Sequence, residues 1–428
     1  MARPSSEWIV LSPSNSSSPS LLRTSRSTQY LTYLAICSGF AQFLVVVSLG
    51  EVAKRFGHPS FGHSYKDITG LSGSTTAIAL AILRLASLAA LPLASLADRW
   101  GRKTVVRRVA TLGLAVTALA AGSSSFWIFI ALCVVARPLL STTSTVVSVI
   151  AVELASANTR MYRVAWVTSG LGVGAGLAAI CHGLLPGPDA FRYLFAATAA
   201  LALLVAPLLR RVNEPPVGVS VESHLKARLG VIPHEYRRQM VLIALLTVVV
   251  GLISGPANGL AFDYAENVLG ISRHEVSLVV TLSALTAGLG LIAGIKISNR
   301  FGRRWTIGLG VAVTALTSTL AYSGGRPSFI VGYMCGVFGS TLFGLAGMAW
   351  TNEIFPHAIR ATAAGWVVVA GVLGGITGLL IFGLVTDAVH ASSILTSSRI
   401  PAAVTFLPAL PVLLVLRLLP ETRGSEID

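Results

Sequence analysis

Two arginines, Arg84 and Arg137, stand inside long apolar runs, where a cationic side chain has no ordinary place. An arginine at the centre of a bilayer costs roughly 2.5–3.5 kcal/mol on insertion scales, so it must face a wet cavity or a partner and not lipid. Arg84 lies 14 residues before Asp98 and Arg137 lies 16 before Glu153. At about 1.5 Å per helical residue, each is about 21–24 Å from a charged helix end, near mid-membrane. The planar guanidinium fork matches carboxylate or phosphate, so the pair points to an anionic small-molecule substrate, with Arg84 the better candidate for contact. Bonding to backbone carbonyls or to a neighbouring helix is the competing reading, and the residues leave both open. Gln42 in the first run, Asn258 in the seventh and Trp350 with Asn352 near the end of the tenth are further cavity candidates.

A second set of charges lies at the ends of the runs. Ala97-Asp98-Arg99-Trp100-Gly101-Arg102-Lys103 returns 201 residues later as Ser298-Asn299-Arg300-Phe301-Gly302-Arg303-Arg304. Glu153 and Arg160, seven apart, return 200 residues later as Glu353 and Arg360. Two independent landmarks whose offsets agree to within one residue mark an internal duplication. Gly101 and Gly302 permit a tight turn that a Cβ would hinder.

The elements that carry these residues follow from composition. The chain is 54% hydrophobic and only 11% charged, too apolar to stay soluble, so its solvent is mostly lipid. A bilayer core of about 30 Å takes about 20 apolar residues per helix, and about twelve such runs start near Tyr30, Thr69, Thr104, Phe126, Tyr162, Phe191, Met240, Glu275, Thr306, Phe329, Thr362 and Pro401. None alternates with period two, so the expected class is an all-α integral membrane fold with twelve transmembrane helices in two pseudo-symmetric six-helix bundles. The expected boundaries are a disordered cytoplasmic tail at 1–28, a first bundle at 29–210, a cytoplasmic linker at 211–239, a second bundle at 240–420 and a short tail at 421–428. With the amino terminus inside, 23 of the 32 Lys and Arg fall on the cytoplasmic side, 7 outside and two within helices. That excess is the positive-inside pattern, and it puts both termini in the cytoplasm of a cell-membrane protein. It also accounts for the net charge of +15 without nucleic acid, because the basic residues are spread over loops.

Other chemistry finds little support. The four cysteines sit in apolar runs without paired metal spacing, and the eight histidines do not cluster, so neither metal nor cofactor is expected. An enzyme would need a nucleophile or an acid/base pair at one depth; His182 and Asp189 fall in a Pro/Gly-rich outer hairpin, so no enzyme is expected. The first run, Tyr30 to Gly50, holds no carboxylate, which leaves a coupling proton open as a partner. The seventh run carries Gly255-Pro256 and is expected to bend at cavity depth, with Asp263 and Glu266 as charges of the outer rim. Glycines at 170, 172, 174 and 176, and at 371, 374, 375 and 378, suit close helix packing.

The motifs resemble the major facilitator superfamily. Its loop between helices 2 and 3 reads Gly-x-x-x-Asp-Arg-x-Gly-Arg-Lys, and Ala94 to Lys103 fits except at Ala94; the second copy has Asn299 for Asp and Ile295 for Gly. Glu353-Ile354-Phe355-Pro356 to Arg360, and Pro420-Glu421-Thr422-Arg423-Gly424, look like the sugar-porter branch and its organic-ion relatives. The resemblance implies a rocker-switch carrier for a small organic solute, a monomer, with a gating latch of Asp98, Arg99, Arg102, Glu153 and Arg160. Arg300, Arg303, Glu353, Arg360 and Glu421 would be its counterpart in the second half. It further implies that Asp98 can cap a helix of the opposite half, which neutral Asn299 cannot match in charge. Related carriers often keep a structural Arg in helix 4, which bears on Arg137. The helix 7 glutamines of sugar carriers are absent, so a hexose carrier is not expected. A multidrug or metabolite efflux carrier, or a non-transporting sensor on the same scaffold, is the alternative.

Overall fold

The computed structural model describes residues 26–62, 64–155, 160–187, 189–212, 232–389 and 394–418. Twelve helices within them are long and apolar enough to cross a membrane: α1 Arg26–Phe56, α2 Gly73–Ala97, α3 Arg102–Gly122, α4 Phe126–Glu153, α5 Tyr162–Leu184, α6 Ala190–Arg210, α7 His234–Gly259, α8 Arg273–Phe301, α9 Arg303–Ser323, α10 Arg326–Thr351, α11 Thr362–Ala388 and α12 Ser398–Leu418. The end of the bundle where α1 begins and α12 finishes is termed the near face, and the opposite end the far face. Helix α1 already includes 26–28, which composition assigned to the tail, and α7 takes in 234–239 of the expected linker. Leu278, Leu282, Leu285, Leu289 and Ile292 form one exposed stripe along α8. Their spacing of three and four marks a single helix face, which in this protein is turned toward lipid.

The two halves pack by one scheme. In α1–α6, α1 lies on α5 and α3 lies on α4 and α6; in α7–α12, α7 lies on α11 and α9 on α10 and α12. Small residues decide the closest crossings. A Cβ on Gly174 would fall 2.1 Å from the Ile36 carbonyl oxygen, and one on Gly374 would fall 2.0 Å from that of Val248. The duplicated turn is also reproduced, with φ of 84° at Gly101 and 97° at Gly302, in the region that favours glycine. Overpacking such a crossing costs about 1–3 kcal/mol or more. Gly174→Val is therefore expected to lower the melting temperature of the detergent-solubilised protein, whereas Gly172→Val, at a position facing open space, is expected to leave it unchanged.

The halves meet along a seam that starts at the far face. Helix α2 packs on α11, α5 on α8, and α1 on the short helix Ala261–Asp263 that follows α7. The near-face stretch Ala90–Trp100, with α3, α4 and α6, makes no comparable contact with the second half among the described residues. The far side is closed. Helix α2 is broken at Leu88–Ala89, because Pro92 has no N–H for the Leu88 carbonyl; that carbonyl accepts from the Leu91 N–H instead, at 3.1 Å. Helix α7, by contrast, runs through Pro256 without interruption and ends only at Gly259, with a π-helical turn at Tyr264–Val268. The expected bend at cavity depth is thus displaced to the far end of the helix, where a break in hydrogen bonding disturbs less of the membrane span.

Candidate functional site

A cleft opens beside the seam at mid-depth, lined by Gln42, Arg84 and Arg137 among aliphatic side chains of the first half, with Gly259 from the second half. Three residues from helices α1, α2 and α4 therefore converge, as their separate depths along the sequence required. Arg84 reaches across the seam and donates Nη2 to the Ser254 and Gly255 carbonyls of α7, at 3.4 and 3.3 Å. A Cβ on Gly375 of α11 would stand 2.8 Å from Arg84 Nη1, so this glycine leaves the space that the guanidinium occupies. Arg137 donates to the Gln42 backbone carbonyl at 3.2 Å, and its Nε is buried without a hydrogen-bond partner. The Gln42 amide is fixed by donation to Ser38 Oγ at 3.0 Å and Ser144 Oγ at 3.1 Å, while Ser141 donates to its Oε1 at 3.3 Å. Both guanidiniums face this one cleft. Among the described residues, no Asp or Glu lines the cleft.

The remaining expected ligand residues lie elsewhere. Asn258 is exposed beside Gly259 and donates to the Ser254 carbonyl at 3.1 Å. Trp350 is 1% exposed in the core of the second half and does not line the cleft. At the near face, Arg102 is ion-paired with Glu153, and Arg303 with Glu353 at 2.7 Å. Each pair joins the start of one helix to the end of another in the same half, an arrangement that the internal repeat preserves. Arg360 donates to the Phe355 carbonyl at 3.3 Å. Arg99 and Arg300 are exposed, the latter 5.3 Å from the centre of the Phe301 ring. The side chains of Asp98, Arg160 and Asn352, and the whole of Glu421, lie outside the described residues.

The far face holds a polar latch between the halves that the sequence reading placed wrongly. Helix α1 extends past Gly50 to include Glu51, so a carboxylate does belong to it. Glu51 is ion-paired with Arg273 of α8. His182, expected in a hairpin, is fully buried within α5, and its Nε2 lies 2.8 Å from Glu266 Oε1. Arg273 also donates to the Gly187 carbonyl of the first half at 2.9 Å. Asp263 and Glu266 are therefore not rim charges: Asp263 is 2% exposed, accepting from Tyr65 Oη of the first half and from Asn267 at 2.6 Å. Asp387 of α11 accepts from the Gly73 and Ser74 N–H groups at the start of α2, at 2.7 and 2.9 Å. The structure thus places a carboxylate on the positive end of a helix in the opposite half at the far face. The sequence signal was present in the carboxylates near the ends of α1, α7 and α11, but partners 84 to 314 positions away carried no local mark.

Burial raises the Asp263 carboxyl above its ordinary range, and the neighbouring Glu266 adds to this, against donation from Tyr65 and Asn267 and a smaller effect of Lys54. A raised value in the closed form means that closure binds a proton more tightly than an opened form in which Asp263 meets water. Closure is therefore favoured as pH falls below the raised value and loses this contribution as pH rises through it. Reactivity of a cysteine introduced at Ser74 toward a membrane-impermeant maleimide, normalised to a permanently exposed cysteine to remove the thiolate's own pH dependence, is expected to rise with far-side pH, and Asp263→Asn is expected to flatten that normalised dependence.

A family model described as Major Facilitator Superfamily matches residues 31–260 and 243–427. A sequence search finds no curated protein that matches. Among solved structures, a D-xylose-proton symporter is similar over 94% of this chain and 99% of that chain, with 17% identity and a TM-score of 0.73. The nucleoside transporter NupG is similar over 91% and 99%, with 15% identity and a TM-score of 0.69. A bacterial homologue of the human lysosomal transporter Spinster, in an inward-facing and occupied conformation, is similar over 92% and 96%, with 14% identity and a TM-score of 0.70. Identities this low establish the fold, while the family match extends over both halves: the chain belongs to the Major Facilitator Superfamily and is a membrane transporter.

Proposed function

We propose that the protein carries a small anionic organic solute across the cell membrane by rocking its two halves about the central cleft, with the near face and both termini in the cytoplasm. The observation that carries this reading is a cleft with two arginines and no carboxylate. Unpaired guanidiniums in a site of low dielectric await a negative charge, and charge-assisted bonds of about 2.7–2.9 Å are stronger than the long contacts that Arg84 makes to carbonyls. Orientation rests on the excess of Lys and Arg at the near-face ends and loops. The near-face pairs Arg102–Glu153 and Arg303–Glu353, with Asp98, Arg99, Arg160, Arg300, Arg360 and Glu421, serve the inner gate that alternating access requires. Purified protein in proteoliposomes, tested with a radiolabelled panel of organic anions, neutral metabolites and cations, is expected to accumulate or exchange anions only. Transport of a neutral or cationic solute with no anion transported would overturn the proposal.

A further inference from the structure

We infer that the transported solute is a short aliphatic dicarboxylate, with one carboxylate on Arg137 and the other on Arg84. The inference rests on the anion reading and narrows it by counting charge. Two guanidiniums share the cleft, and among the described residues neither has an ion-pair partner. A monoanion would leave one positive charge uncompensated among aliphatic walls, and only a second negative charge removes it.

The hydrogen-bond inventory agrees with two ends and not one. Arg137 keeps Nε buried and unpartnered while Nη1 is spent on the Gln42 carbonyl, so part of its donor fork is available to an acceptor. Arg84 comes from a different helix and holds α7 only through bonds of 3.3 and 3.4 Å, at the long end of the N–H···O range. A carboxylate would displace these neutral acceptors with shorter, charge-assisted bonds. The walls restrict what lies between the charges. Val45, Val46, Leu80, Leu83 and Leu140 line the cleft and no aromatic ring does, so there is no face on which a sugar or nucleobase would stack. Gly375, whose missing side chain gives the Arg84 guanidinium its place, lets this donor stay at the seam.

The test compares succinate, its semi-amide and its diamide, which share a chain length but carry two, one and no negative charges. The series is repeated from malonate to adipate, with methyl phosphate as a separate arm. Binding is read by ligand-induced thermal stabilisation of the full-length protein in detergent. For at least one chain length, the dianion is expected to bind at least about 30-fold more tightly than the monoanion, as measured for buried charge pairs. Arg84→Gln is expected to make succinate and its semi-amide equivalent. Tight binding of methyl phosphate with no dicarboxylate preferred over its semi-amide would overturn the two-ended reading. If monoanions bind the wild type as tightly as dianions at every length, the dianion inference fails while the anion reading stands. If no anion binds and neutral solutes do, both fail.

Discussion

Arg84→Ala is expected to abolish measurable uptake of the anionic substrate while leaving the protein folded. Removing one partner from a buried, hydrogen-bonded charge pair costs about 2–5 kcal/mol, which is roughly a 30-fold to several-thousand-fold loss of affinity. The fold should tolerate the change, because in the unliganded protein Arg84 makes only two long bonds to carbonyls, and the Ser254 and Gly255 carbonyls lie within the continuous helix α7. Arg84→Lys keeps the charge but loses the planar fork, and an intermediate defect is expected of it. Proteoliposome uptake with a melting curve on the same preparation checks both points. A variant that melts like the wild type and still transports at the wild-type rate would remove Arg84 from the site. Arg137 is the less clean probe, since it also ties α4 to α1 through the Gln42 carbonyl.

Disrupting the far-face latch is the second large effect. Glu51→Gln removes the charge that faces Arg273, and Arg273→Ala removes in addition its bond to the Gly187 carbonyl. Breaking a buried pair by deleting one partner costs about 3–5 kcal/mol. A shift of about 5.5 kcal/mol is enough to turn a 99:1 population into its reverse. Both variants are therefore expected to populate a form open at the far face. Spin labels at Phe61 of the first half and Pro327 of the second, in a background without native cysteines, should report a longer distance in the variants. The partly buried Arg273, 28% exposed in its side chain, can find water once unpaired, so Glu51→Gln should remain folded. Unchanged label distances in both variants would show that the seam is held by packing of α2 on α11 and α5 on α8 and not by the ionic contacts.

Much of this architecture was legible before any coordinates. Hydropathy and length alone require twelve helices, because lipid leaves the backbone no partner outside its own segment. The repeated Arg-Gly-Arg turn and the repeated Glu and Arg seven apart announced two halves, and the structure repeats the same helix pairings in each. Arg84 and Arg137 could be singled out because a charge inside an apolar run is anomalous wherever the run packs. Their depth was arithmetic on helical rise, and depth was the coordinate needed to bring them to one cleft with Gln42.

Direction around the helix and partners in the other half were not legible, and these decide the rest. Trp350 and Asn258 stood at suitable depths, yet one turns into the core of its own half and the other misses the cleft by a residue. The far-face latch escaped because each of its members looks locally like a charge near a helix end. Glu51, His182, Glu266 and Arg273 become a buried cluster only when α1, α5, the turn after α7 and the start of α8 meet. The sequence by itself determined the solvent, the number of spans, the duplication and the presence of cationic groups at mid-depth, all of which follow from composition and spacing along one helix. Only the tertiary structure decided which charges pair across the seam and that Arg84 stands where the seam gives way to the cleft, because those contacts depend on how the two halves are docked and not on local periodicity.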